Sequence, residues 1–197
     1  ESCPEYFARY NIAPQSRVLV IRHPPGAGRV GQLVRWGLIP SWAKDPGIGA
    51  RMNNARGETV AVKPAFRGSF AGHRCLIPAS GFYEWSEGDK GARLPWYFTR
   101  TDGQPMALAG IWQRWQDVDT VAIVSTEAGT VMAGLHHREP VVLEPADWPL
   151  WLGEAGHGAA VLMKATAPGV MRPPFRVGLD VNSNRASGPG LILPLAA

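Results

Sequence analysis

Trp96-Tyr97-Phe98-Thr99-Arg100-Thr101-Asp102-Gly103-Gln104-Pro105-Met106-Ala107-Leu108-Ala109-Gly110-Ile111-Trp112 holds the clearest local signal in the chain. Two apolar runs flank Asp102-Gly103, a pair that favours the positive φ angles of a tight turn, so the stretch predicts a β-hairpin. Working outward, Val18-Leu19-Val20-Ile21, Val121 to Val124 and Val141-Val142-Leu143 are likewise short and rich in β-branched residues. Runs of that length suit strands better than helices, and the chain reads as mainly β with an α+β admixture. Helical signals are few: Pro64 to Phe70, with Pro64 in a first turn, and a segment following Pro145 through Asp147, Trp148 and Trp151. Pro24-Pro25-Gly26-Ala27-Gly28 and the stretch from Ala165 to Phe175 read as surface loops.

A chain of 197 residues, 45% hydrophobic and 18% charged, is long and apolar enough to bury a core, and no repeat or linker divides it. One domain over residues 1–197 is therefore expected. No run is apolar enough to cross a bilayer and no basic-apolar leader opens the sequence, so the expected location is the cytoplasm, on the nucleoid if the source is bacterial. Cys3 and Cys75 cannot build a disulfide framework and lack metal-site spacing; Cys75, within Cys75-Leu76-Ile77, is expected to be a small buried hydrophobe. No cofactor or metal is expected. Residues 1–75 hold 11 Lys/Arg against 4 Asp/Glu, whereas the remainder holds 9 against 12. The basic charge is thus concentrated where Trp and Pro are interleaved, a combination suited to single-stranded nucleic acid.

Arg9-Tyr10-Asn11-Ile12-Ala13-Pro14, Trp36-Gly37-Leu38-Ile39-Pro40-Ser41-Trp42, Asn54-Ala55-Arg56-Gly57-Glu58-Thr59, Gly81-Phe82-Tyr83-Glu84-Trp85 and Leu135-His136-His137-Arg138-Glu139-Pro140 occur in that order, followed by Val181-Asn182 and Arg185. Together they resemble the SOS response-associated peptidase (SRAP) family of abasic-site processing proteins. The resemblance implies a pseudo-barrel of bent strands with a few short helices. It also implies a partner, single-stranded DNA containing abasic sites, and covalent capture of that DNA. In the family's chemistry an N-terminal Cys offers an amine and a thiol, with reference pKa values of about 8 and about 8.5, to the aldehyde of the ring-opened sugar. The amine forms a Schiff base and the thiol closes it to a thiazolidine.

By the same resemblance Glu84 is the acid/base, Asn54 positions the nucleophile or the sugar, and His136 polarises an oxygen or moves a proton. Arg56, Lys63 and Arg67 are candidate phosphate contacts, and Trp42 with Pro40 a candidate wedge or stacking platform. Self-processing peptidase or lyase activity is a further expectation. The sequence departs from the family at two places. It opens Glu1-Ser2-Cys3-Pro4 rather than Met-Cys-Gly-Arg, so Cys3 is not expected to be the nucleophile and the natural N-terminal segment is expected to lie outside this sequence. His137 and Glu139 also stand where the family carries Asp and Met. A metal site from His136, His137 and Glu139 is disfavoured, because adjacent residues on a strand point apart. Two rival readings remain: a noncovalent single-stranded DNA-binding module, and a cysteine hydrolase using Cys75 with a His.

Overall fold

The computed structural model describes residues 5–195. Eleven strands follow in order: β1 (Arg17–Arg22), β2 (Val30–Trp36), β3 (Asn54–Arg56), β4 (Arg74–Ala79), β5 (Phe82–Glu87), β6 (Arg93–Phe98), β7 (Met106–Trp115), β8 (Val118–Glu127), β9 (Arg138–Pro140), β10 (Val142–Leu143) and β11 (Phe175–Arg176). Three short helices accompany them, α1 (Gly57–Val60), α2 (Arg67–Gly72) and α3 (Trp148–Leu152). Strands β7, β4, β1, β2 and β8 pair in succession and β8 pairs back onto β7, closing a five-stranded ring. Closure leaves these strands without a free edge along the paired lengths. β3 and β9 extend β8, β10 extends β7, and β5, β6 and β11 form a separate three-stranded sheet.

The two faces of the ring carry two cores. Inside, Val18 and Val20 of β1, Val34 of β2, Cys75 and Ile77 of β4, Met106 and Leu108 of β7 and Val121 of β8 pack together. Phe82 and Phe98 of the small sheet join this cluster with Leu135, so the small sheet closes over one mouth of the barrel. Outside, Leu76, Ala109, Ile111, Ala122 and Val124 lie under the helical layer, with Val60, Phe66 and Trp151 against them. Trp151 is fully buried and its indole N–H donates to the Cys75 carbonyl at 2.9 Å, which satisfies the polar atom that its ring carries into the core.

Three sequence expectations need correction. Asp102-Gly103 does turn, with Gly103 at φ +71, but it joins strands of different sheets, β6 pairing with β5 and β11 while β7 pairs with β4, β8 and β10. The turn is held from the side: the Arg100 guanidinium bonds Asp102 and reaches Glu144 at 2.6 Å, and the Asp102 carboxylate accepts from the Gln104 amide. The two-residue hairpin lies instead between Trp115 and Val118, where Gln116 takes φ +51 without an Asn-Gly or Asp-Gly signal. Pro64 falls in a turn, and α2 starts at Arg67 with its amide on the Lys63 carbonyl. The loop ending at Phe175 closes into β11 there. The segment after Pro145 forms a 3-10 turn running into α3, which Gly153 ends in the left-handed region at φ +84. Cys75 is fully buried. Among the described residues no helix is long and apolar enough to cross a membrane.

Candidate active site at the barrel mouth

Alternation along β5 sends Phe82, Glu84 and Ser86 to the barrel side and Tyr83 and Trp85 to the other. Phe82 stacks on Phe98 with centroids 5.0 Å apart, and Tyr83 packs on Tyr97 at 5.0 Å, so both faces of the strand are clamped around Glu84. A Cβ at Gly81 would collide with the Phe98 carbonyl oxygen and the Tyr97 ring, which is why the motif opens on glycine. Gly37 answers a similar demand at φ +133, with the Gln15 side chain and the Gly49 carbonyl where a Cβ would stand.

His136 arrives from a different direction, on the turn that follows Met132, whose carbonyl accepts the His136 amide at 3.0 Å. Its Nδ1 lies 2.9 Å from the Arg138 carbonyl oxygen and 3.9 Å from Glu84 Oε2. The structure therefore brings Glu84 and His136 together across 52 residues of sequence, both partly open to solvent. The backbone of Arg138 orients the imidazole in the absence of the family's Asp. His136 and His137 do not point apart: their rings are 4.5 Å apart, because both precede β9 and lie in a turn rather than a strand. Glu139 faces inward, accepting from the Gly129 and Thr166 amides, and no metal-binding cluster of His, Cys, Asp and Glu occurs among the described residues.

Asn54 pairs in parallel register with Ile123, whose side chain belongs to the interior cluster that also holds Phe82 and Leu135, the neighbours of Glu84 and His136. Register partners share a face, so Asn54 points to the same side of the sheet, exposed and making no side-chain hydrogen bond among the described residues. Arg56 is opposite Ser125, and Arg138 bonds Ser125 Oγ at 3.2 Å and its carbonyl at 2.7 Å. Arg138 also forks onto Glu58 at 3.1 and 2.9 Å, and these hydrogen bonds hold the Glu58 carboxyl below its ordinary value, with the charges of Arg138 and Arg56 adding to them. Lys63 and Arg67 are exposed on the helical layer over the outer core. Trp42 is 60% exposed, its turn fixed by the Trp115 indole donating to the Ala43 carbonyl at 2.8 Å. Pro40 is buried, so of the two residues expected to form a wedge only Trp42 is open to solvent.

Sequence reasoning missed the residues that tie the chain's early segment to β5. Tyr83 Oη donates to the Tyr10 carbonyl at 2.7 Å, and Asn11 Nδ2 donates to the carbonyls of Val181 and Ser183 at 3.2 and 3.0 Å. Asn182 accepts from the Trp85 indole at 2.7 Å and donates to the Arg93 carbonyl at 3.0 Å. All of these side chains sit in or beside the quoted motifs, but nothing local in the sequence pairs one with another. Cys3 lies outside the described residues.

Residues 1–183 match the profile of the SOS response associated peptidase (SRAP) family. The abasic site processing protein YoqW of Bacillus subtilis is 35% identical over 195 residues, spanning 95% of this chain and 87% of that protein. YoaM of the same organism, also named an abasic site processing protein, is 40% identical over 153 residues, 75% of this chain and 67% of its own. The chicken protein HMCES, of the same name, is 28% identical across 96% of this chain and 67% of its own length. A crystal structure of a protein from Bacteroides thetaiotaomicron superposes with a TM-score of 0.81 at 25% identity, over 92% of this chain and 82% of that one.

Proposed function

The chain belongs to the SOS response-associated peptidase family, and on that premise we propose that it processes abasic sites in single-stranded DNA by bonding to them covalently. The observation that carries this reading is the meeting of Glu84 and His136 at the barrel mouth, beside the segment that Tyr83 anchors. Their 3.9 Å separation is too long for a hydrogen bond, and with Nδ1 engaged by the Arg138 backbone the Glu84 carboxylate and His136 Nε2 are the groups left to meet a substrate oxygen.

In the proposed reaction the amine of an N-terminal Cys adds to the aldehyde carbon of the opened sugar, giving a carbinolamine. Glu84 donates a proton to the departing hydroxyl, water leaves and a C=N bond forms. The sulfur then adds to the carbon of the protonated imine, its proton returning to the Glu84 carboxylate, and a thiazolidine with a neutral ring nitrogen closes. His136 polarises the sugar oxygen, and Asn54, whose amide has no other hydrogen bond among the described residues, orients the sugar or the nucleophile. Arg56 holds a phosphate and Trp42 offers a stacking face. A peptidase step that frees the Cys from an initiator Met, and a lyase activity on the same imine, belong to this proposal.

The test uses a chain carrying a family-type N-terminal segment that begins with Cys, incubated with an abasic single-stranded oligonucleotide and run on a denaturing gel. A denaturant-resistant adduct is expected, formed more slowly by Glu84→Gln, which keeps the carboxylate's shape and cannot transfer a proton. No adduct would overturn covalent capture, and salt-sensitive binding without adduct would favour the noncovalent module.

A further inference from the structure

Three arginines carry a buried Nε without an acceptor: Arg22, Arg35 and Arg176. Arg22 still bonds Asp119 through Nη1 at 3.1 Å, and Arg35 bonds Gln15 Oε1 through Nη2 at 2.6 Å. Arg176 makes no side-chain hydrogen bond or ion pair among the described residues; its guanidinium lies over the Trp96 ring, 5.5 Å from the centroid. A partly buried cation with no acceptor is costly, and it is retained most readily where a ligand supplies the missing oxygens.

The register places this group relative to the candidate site. Arg176 pairs with Trp96 and Trp96 pairs with Glu84, so the three side chains form one row across β11, β6 and β5 on the barrel-facing side. At the usual strand spacing the Cα atoms of Arg176 and Glu84 are roughly 10 Å apart, a span that an extended arginine shortens toward the carboxylate. Trp96 is itself fixed, its indole N–H donating to Ser86 Oγ at 2.9 Å. One face of the guanidinium is therefore taken by a held aromatic ring and Nε is buried, while Nη1 and Nη2, neither buried nor hydrogen-bonded among the described residues, stay available to an oxyanion.

We infer that Arg176, seated on Trp96, receives the backbone phosphate adjoining the abasic nucleotide at Glu84. This rests on the function proposed above, since it takes the strand to lie along the row. A strand whose damaged sugar sits at Glu84 carries phosphodiesters on both sides of that sugar. Arg176 fixes which of them is held and so sets the strand's direction across the small sheet.

The experiment measures anisotropy of a labelled single-stranded oligonucleotide with a central tetrahydrofuran abasic analogue, over a series of salt concentrations. Each flanking phosphodiester is replaced in turn by a neutral methylphosphonate. Arg176→Met keeps an aliphatic stem over Trp96 without the charge and should weaken binding about tenfold, the scale of one charged hydrogen-bonded contact. Its slope of log affinity against log salt should fall by about 0.7, one single-strand phosphate. Arg176→Lys should keep most of that slope. One methylphosphonate position should weaken the wild type by the same factor and leave Arg176→Met unaffected. If Arg176→Met binds like wild type, or every methylphosphonate effect persists in it, the assignment is wrong while the proposed function stands. If the wild type itself ignores the oligonucleotide, both fall.

Discussion

Replacing Tyr83 with Phe removes one oxygen from the structure and tests how the chain's early segment is secured beside Glu84. The hydroxyl donates to the Tyr10 carbonyl at 2.7 Å, while the ring's contacts with Tyr97 at 5.0 Å and Trp85 at 6.3 Å survive the change. What is lost is one neutral hydrogen bond, leaving a half-buried carbonyl to find water, at a cost of about 1 to 2 kcal/mol. For a chain of this size that is a fall in melting temperature of about 3 to 6 °C. Asn11 still holds the segment through two carbonyls, so the variant should fold, and adduct formation should slow more than stability falls. The pH dependence adds a second readout. Burial, and then the neighbouring Tyr97 phenol, push the Tyr83 hydroxyl above its ordinary value of 10.0. A group raised in the folded state contributes stability that is complete below its unfolded value and lost as pH climbs through the folded one. The wild type should therefore lose stability above pH 10 more steeply than Tyr83→Phe, in urea titrations across that range. Equal midpoints for the two proteins at neutral pH would refute the anchoring role.

Gly81→Ala should cost about 1 to 3 kcal/mol, since the new methyl meets the Phe98 carbonyl and the Tyr97 ring, and an unchanged urea midpoint would contradict that close approach. Glu58→Gln should cost under about 1 kcal/mol at neutral pH, because the carboxylate is 45% exposed. The Arg138 guanidinium lowers the Glu58 carboxyl from 4.5, so its contribution is present above that pH and lost as pH falls through the folded value; thermal melts should show a shallower acid limb in the variant, and parallel limbs would count against the pair. Burial raises the Cys75 thiol and leaves it no exposed surface, so it should resist alkylation until the chain is unfolded; labelling of the native protein would revive the cysteine-hydrolase reading.

What the sequence makes legible follows the range over which its causes act. Val18 to Ile21 and Val121 to Val124 read as strands because side-chain branching and apolar alternation are local properties. Their partners are not local. Tyr97 pairs with Tyr83 and Phe175, and Met106 with Ala79, so a turn signal at Asp102-Gly103 identifies a reversal without saying which sheet each arm enters. Glu84 and His136 are legible through the motifs around them. The Glu58–Arg138 fork, between residues 80 apart, and the Tyr83–Tyr10 bond are not, because each depends on where the barrel closes. Pro40-Ser41-Trp42 carries no mark of which ring is inside; that is decided by a turn hydrogen-bonded to the indole of Trp115.

The support of β5 by residues near the end of the chain bears on synthesis. Asn182 holds the Trp85 indole, the carbonyls of Val181 and Ser183 hold Asn11, and β11 completes the small sheet. A ribosome adds residues at roughly 5 to 20 per second, so Glu84 is made several seconds before these supports exist. Through that interval Glu84 is present without the frame that holds its strand, and the small sheet is completed only after residues 175–183 have been made.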